Sequence, residues 1–432
     1  MTQWQQQPSP AWEEPLTFAS RFSGSDMALF YSGLRERFTG AFSYLFVAPQ
    51  EVIEGDDWSA FPKVEDDNEL PQWVGYLGYE LGDDTAALAP SFINLPKLRL
   101  IHYGQLFRFN HEQQHIDCFT NTGDTINYCV PIALPLPNSS PDGRGSAAIA
   151  TITSNFTRAS YEAVVADTIA HIHAGDFYQA NITRKFWGEF TTTPSSWQLY
   201  RQLCSISPAP YSAYIRHGET SILSSSPECF LSIDGEGNII TRPIKGSARR
   251  SDDAAADEKI KADLQASDKN HAENLMIVDL MRNDLSRVSV TGSVQVVEQS
   301  TLSSYATIHH LISTIRAQKR ADATSADVIR ASFPPGSMTG APKIAAMRWC
   351  AKHEKMARGV YSGAIGWLGG HNRCDLSVVI RTLIMRGNQF EFQVGGGIVA
   401  DSTPTDEWRE TLAKARAIAS ALGLTEDDLA KI

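Results

Sequence analysis

The 432-residue chain has only six cysteines, Cys118, Cys129, Cys204, Cys229, Cys350 and Cys374, and no two of them stand in CxxC spacing. That scatter excludes a disulfide framework and a structural zinc site, so reduced thiols are expected. None lies in a G-x-C-x-G setting, so the nucleophile elbow that a glutamine-hydrolysing domain uses is missing. No apolar run approaches the roughly 18 residues of a membrane span. Met1 to Pro10 is polar, unlike the charged-then-apolar start of a signal peptide. Excess positive charge is also missing: 38 Lys+Arg face 49 Asp+Glu, a net charge of −11. Such a chain is poorly suited to coat nucleic acid or an anionic membrane. These absences predict a cytoplasmic protein with neither kind of partner.

What is present is ordinary for a globular protein, with 42% hydrophobic and 20% charged residues. The length suffices for two or three domain-sized units or one large composite domain. Pro131 to Ser146, PIALPLPNSSPDGRGS, is the best linker candidate and divides the chain into regions 1–146 and 147–432. Before it, Leu98–Asn110 and His115–Thr120 read as two strands joined by a polar turn, preceded by a helical segment near Met27–Phe38. After it, a helix is signalled by Thr157 as cap, by the stripe Tyr161, Val164, Val165, Thr168, Ile169 and Ile172, and by Gly175 as stop. Ser212 to Lys245 and Gly363 to Val399 read as antiparallel meanders. Helices are expected near Asp268–Leu285, near Ala323–Ala331 and over Thr405–Leu422. Strands grouped with strands and helices with helices indicate an α+β fold.

Several motifs carry chemistry only in the right setting. His111-Glu112-Gln113-Gln114-His115 matches the metalloprotease HExxH pattern, which requires a helix; here strand-like flanks put it on a hairpin turn. Gly336 to Lys343, GSMTGAPK, resembles a phosphate loop with the wrong Gly-to-Lys spacing and no Ser/Thr after Lys343. A loop so rich in Gly and small hydroxyls, Ser337 among them, can still offer backbone N–H groups to an anion. Glu407 and Glu410 start the last helix, where they complement its dipole or hold a hard cation. Glu273, near the start of a helix whose Leu275, Val278, Met281 and Leu285 face a core, is the third carboxylate such a cation would need. Lys245 ends a strand at a Gly turn. It is either an exposed strand-end lysine or, if desolvated, a nucleophile with Glu228 as its acid/base companion.

Taken together, Ser226 to Leu231, Arg242 to Ser247, Ala272 to Asp284, Gly336 to Lys343, Tyr361-Ser362-Gly363 and Gly395 to Ser402 stand in the order and spacing of the chorismate-utilising enzymes. The resemblance covers Phe156 to Leu424. Within that family the chain is most similar to the aminodeoxychorismate branch, because Pro243-Ile244-Lys245-Gly246-Ser247 carries the branch's lysine where anthranilate synthases carry Ala. Ser247 replaces the usual Thr and keeps the hydroxyl; Phe333-Pro334-Pro335-Gly336 departs from the family in lacking a second Gly.

The resemblance implies two facing antiparallel β-sheets flanked by helices, with both chain regions contributing strands. It implies Mg²⁺ held by Glu273 and Glu410, with Glu407 acting directly or through water. The ring carboxylate of chorismate would meet the metal and the backbone of Gly246 and Ser247. Arg381, Tyr361 and the backbone of Gly395, Gly396 and Gly397 would hold the enolpyruvyl carboxylate. Lys245 would be the nucleophile of a covalent adduct, Glu228 the acid for the leaving hydroxyl, and His310 the active-site histidine, with His309 in packing or at the surface. The expected product is 4-amino-4-deoxychorismate. Without a thiol of its own for glutamine hydrolysis, the chain is expected to take ammonia from a glutamine amidotransferase subunit or from solution. The Leu-Leu-Glu-Ser pattern with which some relatives hold tryptophan is replaced by Ala28-Leu29-Phe30-Tyr31-Ser32-Gly33. Competing readings are an anthranilate synthase subunit, an isochorismate or salicylate synthase, and a non-catalytic ligand-binding or regulatory subunit.

Overall fold

Alternation of apolar side chains sorts this chain into layers. In the strand Met27–Tyr31, Met27 and Leu29 join one core while Ala28 and Phe30 join another. The same split recurs at Ile222 and Leu223, and at Leu383, Ile384 and Met385. In Pro71–Leu77, Val74 and Tyr76 face the shared middle core while Trp73 and Leu77 turn to a third. Successive strand residues point to opposite faces, so these strands are apolar on both sides and must be covered twice.

The computed structural model describes residues 4–34, 40–64, 68–82, 88–121, 148–305 and 308–432. Its strands join through antiparallel pairs into one system. The long strands Phe42–Gly55 and Leu98–Asn110 pair along nearly their whole length and carry the sheet from one layer into the other. One layer holds Gln179–Phe190, Gln389–Ile398, Thr382–Arg386, Thr220–Ser226, Tyr211–His217 and Met27–Tyr31. The other holds Pro71–Leu77, Ala364–Gly369, Arg373–Val378, Cys229–Ile233, Asn238–Arg242 and Ile308–Gln318. Helices Arg158–Ala174, Ser196–Ile206 and Pro404–Ala421 cover the outer face of the first layer; Asp268–Ser286 and Ser325–Ser332 cover the second. The α+β architecture of two facing antiparallel sheets flanked by helices is therefore the observed one. Strands from both sides of the 131–146 stretch pair directly, Met27–Tyr31 with Tyr211–His217 and Pro71–Leu77 with Ala364–Gly369; the stretch itself lies outside the described residues.

Local signals hold where the structure is local. Thr157 and Ser160 form a capping box at the start of Arg158–Ala174, and Gly175 closes it at φ 88°. Leu98–Asn110 and His115–Thr120 are strands with those bounds. His111 falls in the turn between them, its Nε2 2.7 Å from Ser43 Oγ, so HExxH is a hairpin tip. In the segment expected to be helical near Met27–Phe38, the described part holds instead the strand Met27–Tyr31, and residues 35–38 lie outside the described residues. Five apolar residues in a row fit either period, and pairing on both edges decides for the strand. The two meanders resolve into hairpins: Thr220–Ser226 pairs onward with Thr382–Arg386, and Cys229–Ile233 with Arg373–Val378. Turn residues mark each hairpin but carry no information about partners 150 residues away. Leu275 is 47% exposed rather than packed. The buried face of its helix runs through Asn274, Ile277, Val278, Met281 and Leu285, with Asn274 accepting the Ser313 hydroxyl at 2.6 Å.

Candidate active site

Lys245 owes its direction to a bulge. The strand Ile244–Arg249 pairs Ile244 with Ile312 and Ser247 with His310, and the register slips between them. Gly246 sits in the slip at φ 87°, a left-handed conformation that suits glycine. A Cβ there would also press on Asn270 at 3.0 Å. Lys245 is thereby half-buried, its Nζ donating to the carbonyl of Ser337 at 3.4 Å. Burial pushes its amine below the ordinary lysine range, against the opposing pull of Glu273, Glu228 and Glu410.

Glu228 is 4% exposed. It occupies the break between Thr220–Ser226 and Cys229–Ile233, and its carbonyl accepts the Val378 N–H at 3.0 Å. Desolvation lifts its carboxyl to about 7, with Ser337, Lys245 and the Ile244 N–H holding it from going higher. A carboxyl that burial raises and an amine that burial lowers thus stand within electrostatic reach of each other, a pairing suited to general acid and nucleophile chemistry. Ser337 is buried in the adjoining loop. That loop is fixed from below: Arg358, 2% exposed, donates to the carbonyls of Met338 and Asn181, both at 2.7 Å, and pairs with Glu354 at 2.7 Å. Lys343 does not serve as a phosphate lysine, since its Nζ is spent on Asp284 at 2.7 Å and the carbonyls of Ser332 and Pro334.

His310 is buried, with Nδ1 2.6 Å from Ser247 Oγ and Nε2 without a partner. Burial, with Arg381 and His309 adding to it, drives its pKa well below the usual histidine value and keeps the ring neutral. His309 is fully buried, its Nε2 3.0 Å from Asp257 and its Nδ1 2.8 Å from Ser304. Arg381 holds φ 50° and makes no ion pair among the described residues, yet it lies within electrostatic reach of Glu228. Tyr361 is 5% exposed on the same side, with Glu228 among the charges it senses.

Gly395 to Gly397 run along the strand Gln389–Ile398 opposite Asn181, Ile182 and Thr183. A Cβ on Gly396 would lie 2.7 Å from Glu407 Oε2 and 3.4 Å from Glu410 Oε1, and one on Gly397 would lie 3.3 Å from Lys245 Nζ. Gly396 therefore leaves room beside the carboxylates, and Gly397 lets Gln179 and Lys245 come close to the strand. Glu407 accepts the Ser402 hydroxyl at 2.6 Å on Oε1, and its Oε2 is buried without a partner. Burial first, then Glu410, raises its pKa. Burial likewise raises Glu273, whereas Lys414, 2.6 Å away, lowers Glu410. Lys269 bridges two of the three acids, 3.6 Å from Glu407 and 4.0 Å from Glu273. Among the described residues no three acidic, histidine or cysteine side chains are drawn in tightly enough to cage an ion. Two lysines stand where the sequence suggested a cation. The donor set still suits Mg²⁺, which takes carboxylate oxygens and waters, and the orphaned Glu407 Oε2 is an acceptor without a donor.

Lys269, Lys414, Arg358 and Glu354 escaped the sequence reading. Lys269 and Lys414 stand four residues from Glu273 and Glu410 on their helices, and that spacing was a usable signal. Among the described residues no helix is long and apolar enough to cross a membrane. A separate cavity of 610 Å³ opens between the sheets, lined by Phe30, Tyr31, Tyr211, Trp367 and Asp375. Desolvation alone lifts the Asp375 carboxyl to about 7.

Comparison with known proteins places this arrangement. Aminodeoxychorismate synthase component 1 of Salmonella typhimurium is 37% identical over 351 residues, 80% of this chain and 75% of that protein. Anthranilate synthase component 1 of Pseudomonas putida is 39% identical over 279 residues, 64% of this chain and 56% of that one. The crystal structure of anthranilate synthase component I from Streptococcus pneumoniae superposes with a TM-score of 0.74 at 27% identity, covering 89% of this chain and 93% of that one. The family model described as chorismate binding enzyme matches residues 43–420, and the chain belongs to that family.

Proposed function

We propose that this chain replaces the C4 hydroxyl of chorismate with an amino group, giving 4-amino-4-deoxychorismate with the enolpyruvyl group retained, the amination that leads to para-aminobenzoate and folate. The observation that carries this reading is Lys245, a desolvated amine within electrostatic reach of Glu228, whose carboxyl burial raises to about 7, and of Glu273 and Glu410. The Lys245 amine adds at C2 of the ring, the double bonds shift, and the C4 hydroxyl leaves as water with the proton of Glu228. Ammonia then adds at C4, the double bonds return and the lysine amine leaves C2. Arg381 and Tyr361 hold the enolpyruvyl carboxylate together with the backbone of Gly395 to Gly397, Arg381 offering a planar fork. The N–H groups of Gly246 and Ser247 and the loop at Ser337 orient the ring, and neutral His310 shapes the pocket through Ser247. Mg²⁺ held by Glu273, Glu410 and Glu407 would neutralise the ring carboxylate and assist departure of the hydroxyl.

The region 147–432 carries this chemistry, with 1–146 completing the sheets. Ammonia comes from a separate glutamine amidotransferase subunit, in keeping with the name "component 1" of the Salmonella typhimurium relative, and the setting is the cytoplasm. In class terms the reaction is the transfer of a nitrogenous group. The similarity to an anthranilate synthase keeps that activity as the second reading, against which Lys245 stands.

Incubating the purified chain with chorismate, Mg²⁺ and ammonium at alkaline pH, with products identified by mass and fluorescence, is expected to give aminodeoxychorismate without pyruvate. Anthranilate plus pyruvate would replace this reading with the second one, and untouched chorismate would point to a non-catalytic binding subunit. The pH profile follows from the pair. The active form carries one proton, on Glu228 and not on Lys245. The rate should therefore rise as the pair loses its first proton and fall as it loses the second. In Glu228→Gln the alkaline fall is expected to vanish and the maximal rate to drop roughly 10²- to 10⁴-fold.

A further inference from the structure

One buried amide beside Lys245 has no role in the steps above. Gln179 begins the strand Gln179–Phe190, is 1% exposed, and lies opposite Ala341 of the fixed loop. Both its Oε1 and its Nε2 are buried without a hydrogen-bond partner, and among the described residues it is the one side chain orphaned at two atoms. Buried carboxamides are otherwise nearly always satisfied, so a site that orphans one awaits a ligand or a moving neighbour. Its address narrows the choice. A Cβ placed on Gly397 would lie 2.1 Å from Gln179 Nε2 and 3.3 Å from Lys245 Nζ. The amide nitrogen thus packs over the glycine where a side chain would sit, with the amine beside it, and a turn of the carboxamide would bring Oε1 to that position. The charged groups bearing on that amine are Glu228, Glu273, Glu410 and Lys414. The amine's one hydrogen bond, to the Ser337 carbonyl at 3.4 Å, is long.

We propose that Gln179 is a positioning residue for Lys245: in the substrate-bound site its Oε1 accepts an N–H of the neutral amine, turning the lone pair toward the ring, while its Nε2 donates to an oxygen of the bound anion. This rests on the chorismate-amination reading and assigns that site a group no motif supplied. An amine held by one carbonyl rotates freely; held by two acceptors, Ser337 and Gln179, it has one direction left for its lone pair. Misdirection of a reacting atom by about 1 Å costs on the order of 100-fold.

The test compares wild type, Gln179→Met, which keeps the volume and removes both polar atoms, and Gln179→Glu, which keeps an acceptor. Each is mixed with chorismate and Mg²⁺ without ammonia to follow the Lys245 adduct by peptide mass spectrometry, and with ammonium for steady-state rates across pH. Gln179→Met is expected to slow adduct formation and kcat about 100-fold, with KM for chorismate within about threefold of wild type. In Gln179→Glu a carboxylate beside the amine favours its charged form, so the rising limb of the profile moves to higher pH and activity returns there. Wild-type rate and profile in Gln179→Met would overturn the role, as would a loss carried wholly by KM with no movement of the limb in Gln179→Glu. Should the Met variant not fold, the limb in the Glu variant decides alone. If wild type itself forms neither adduct nor aminated product, the functional reading fails. If it forms both and Gln179→Met matches it, only the role of Gln179 fails.

Discussion

Lys245→Ala is expected to lose at least about 10³-fold in chorismate amination, the scale on which removing a covalent nucleophile is felt, while chorismate still binds in the presence of Mg²⁺. Binding survives because the groups assigned to it sit on other elements: Glu273 on the helix Asp268–Ser286, Glu407 and Glu410 on Pro404–Ala421, Arg381 between strands. The fold should also survive. Lys245 is half-buried and makes one long hydrogen bond, and truncation removes an ammonium that burial disfavours. The measurement pairs steady-state rates with calorimetric binding of chorismate. Near-wild-type turnover in the variant would remove Lys245 from the chemistry; lost binding would make it a substrate anchor.

Arg358→Met is expected to cost stability rather than chemistry, about 3–5 kcal/mol. Arg358 and Glu354 are 2% and 3% exposed and pair at 2.7 Å. Without the guanidinium, Glu354 keeps only the Thr183 N–H at 3.0 Å, and the carbonyls of Met338 and Asn181 each lose a donor, the Asn181 amide at 3.2 Å and the Cys350 thiol at 3.3 Å still reaching them. A buried carboxylate left alone is the expensive outcome, not the loss of the attraction itself. The double variant Arg358→Met/Glu354→Met should therefore be more stable than Arg358→Met alone. A denaturant-unfolding cycle measures this coupling, and additive losses would contradict it. Glu80 accepts the backbone N–H groups of Arg358 and Gly359 at 2.6 and 3.0 Å, contacts that the substitution leaves in place.

Much of this was legible in the chain itself, and the pattern of what was not is physical. Thr157 and Gly175 act through bonds within a few residues, and sequence displays them. Non-local strand pairing is not displayed, which is why Met27–Tyr31 read as helix and the hairpins read as meanders. Apolar runs covered on both faces lose the alternation that marks a strand. At the site, the motifs named Lys245, Glu228 and the three glutamates through their resemblance, and the structure adds what spacing cannot: a bulge at Gly246 that turns Lys245 inward, and glycines at 396 and 397 that leave room beside the acids and let the amine approach the strand. Lys269 and Lys414 were passed over because a lysine one turn from a glutamate usually makes a solvated helix pair. Gln179 was passed over because a single amide carries no pattern; only the absence of partners around it sets it apart.

The central claim is that the amine of Lys245 forms a bond to the substrate ring. Mixing the chain with chorismate and Mg²⁺ in the absence of ammonia, quenching, and mapping peptide masses tests it without reference to any product. The account predicts a peptide containing Lys245 heavier by chorismate less one water, which disappears on addition of ammonium as aminodeoxychorismate forms. An unmodified Lys245 under conditions where ammonium supports turnover would contradict it.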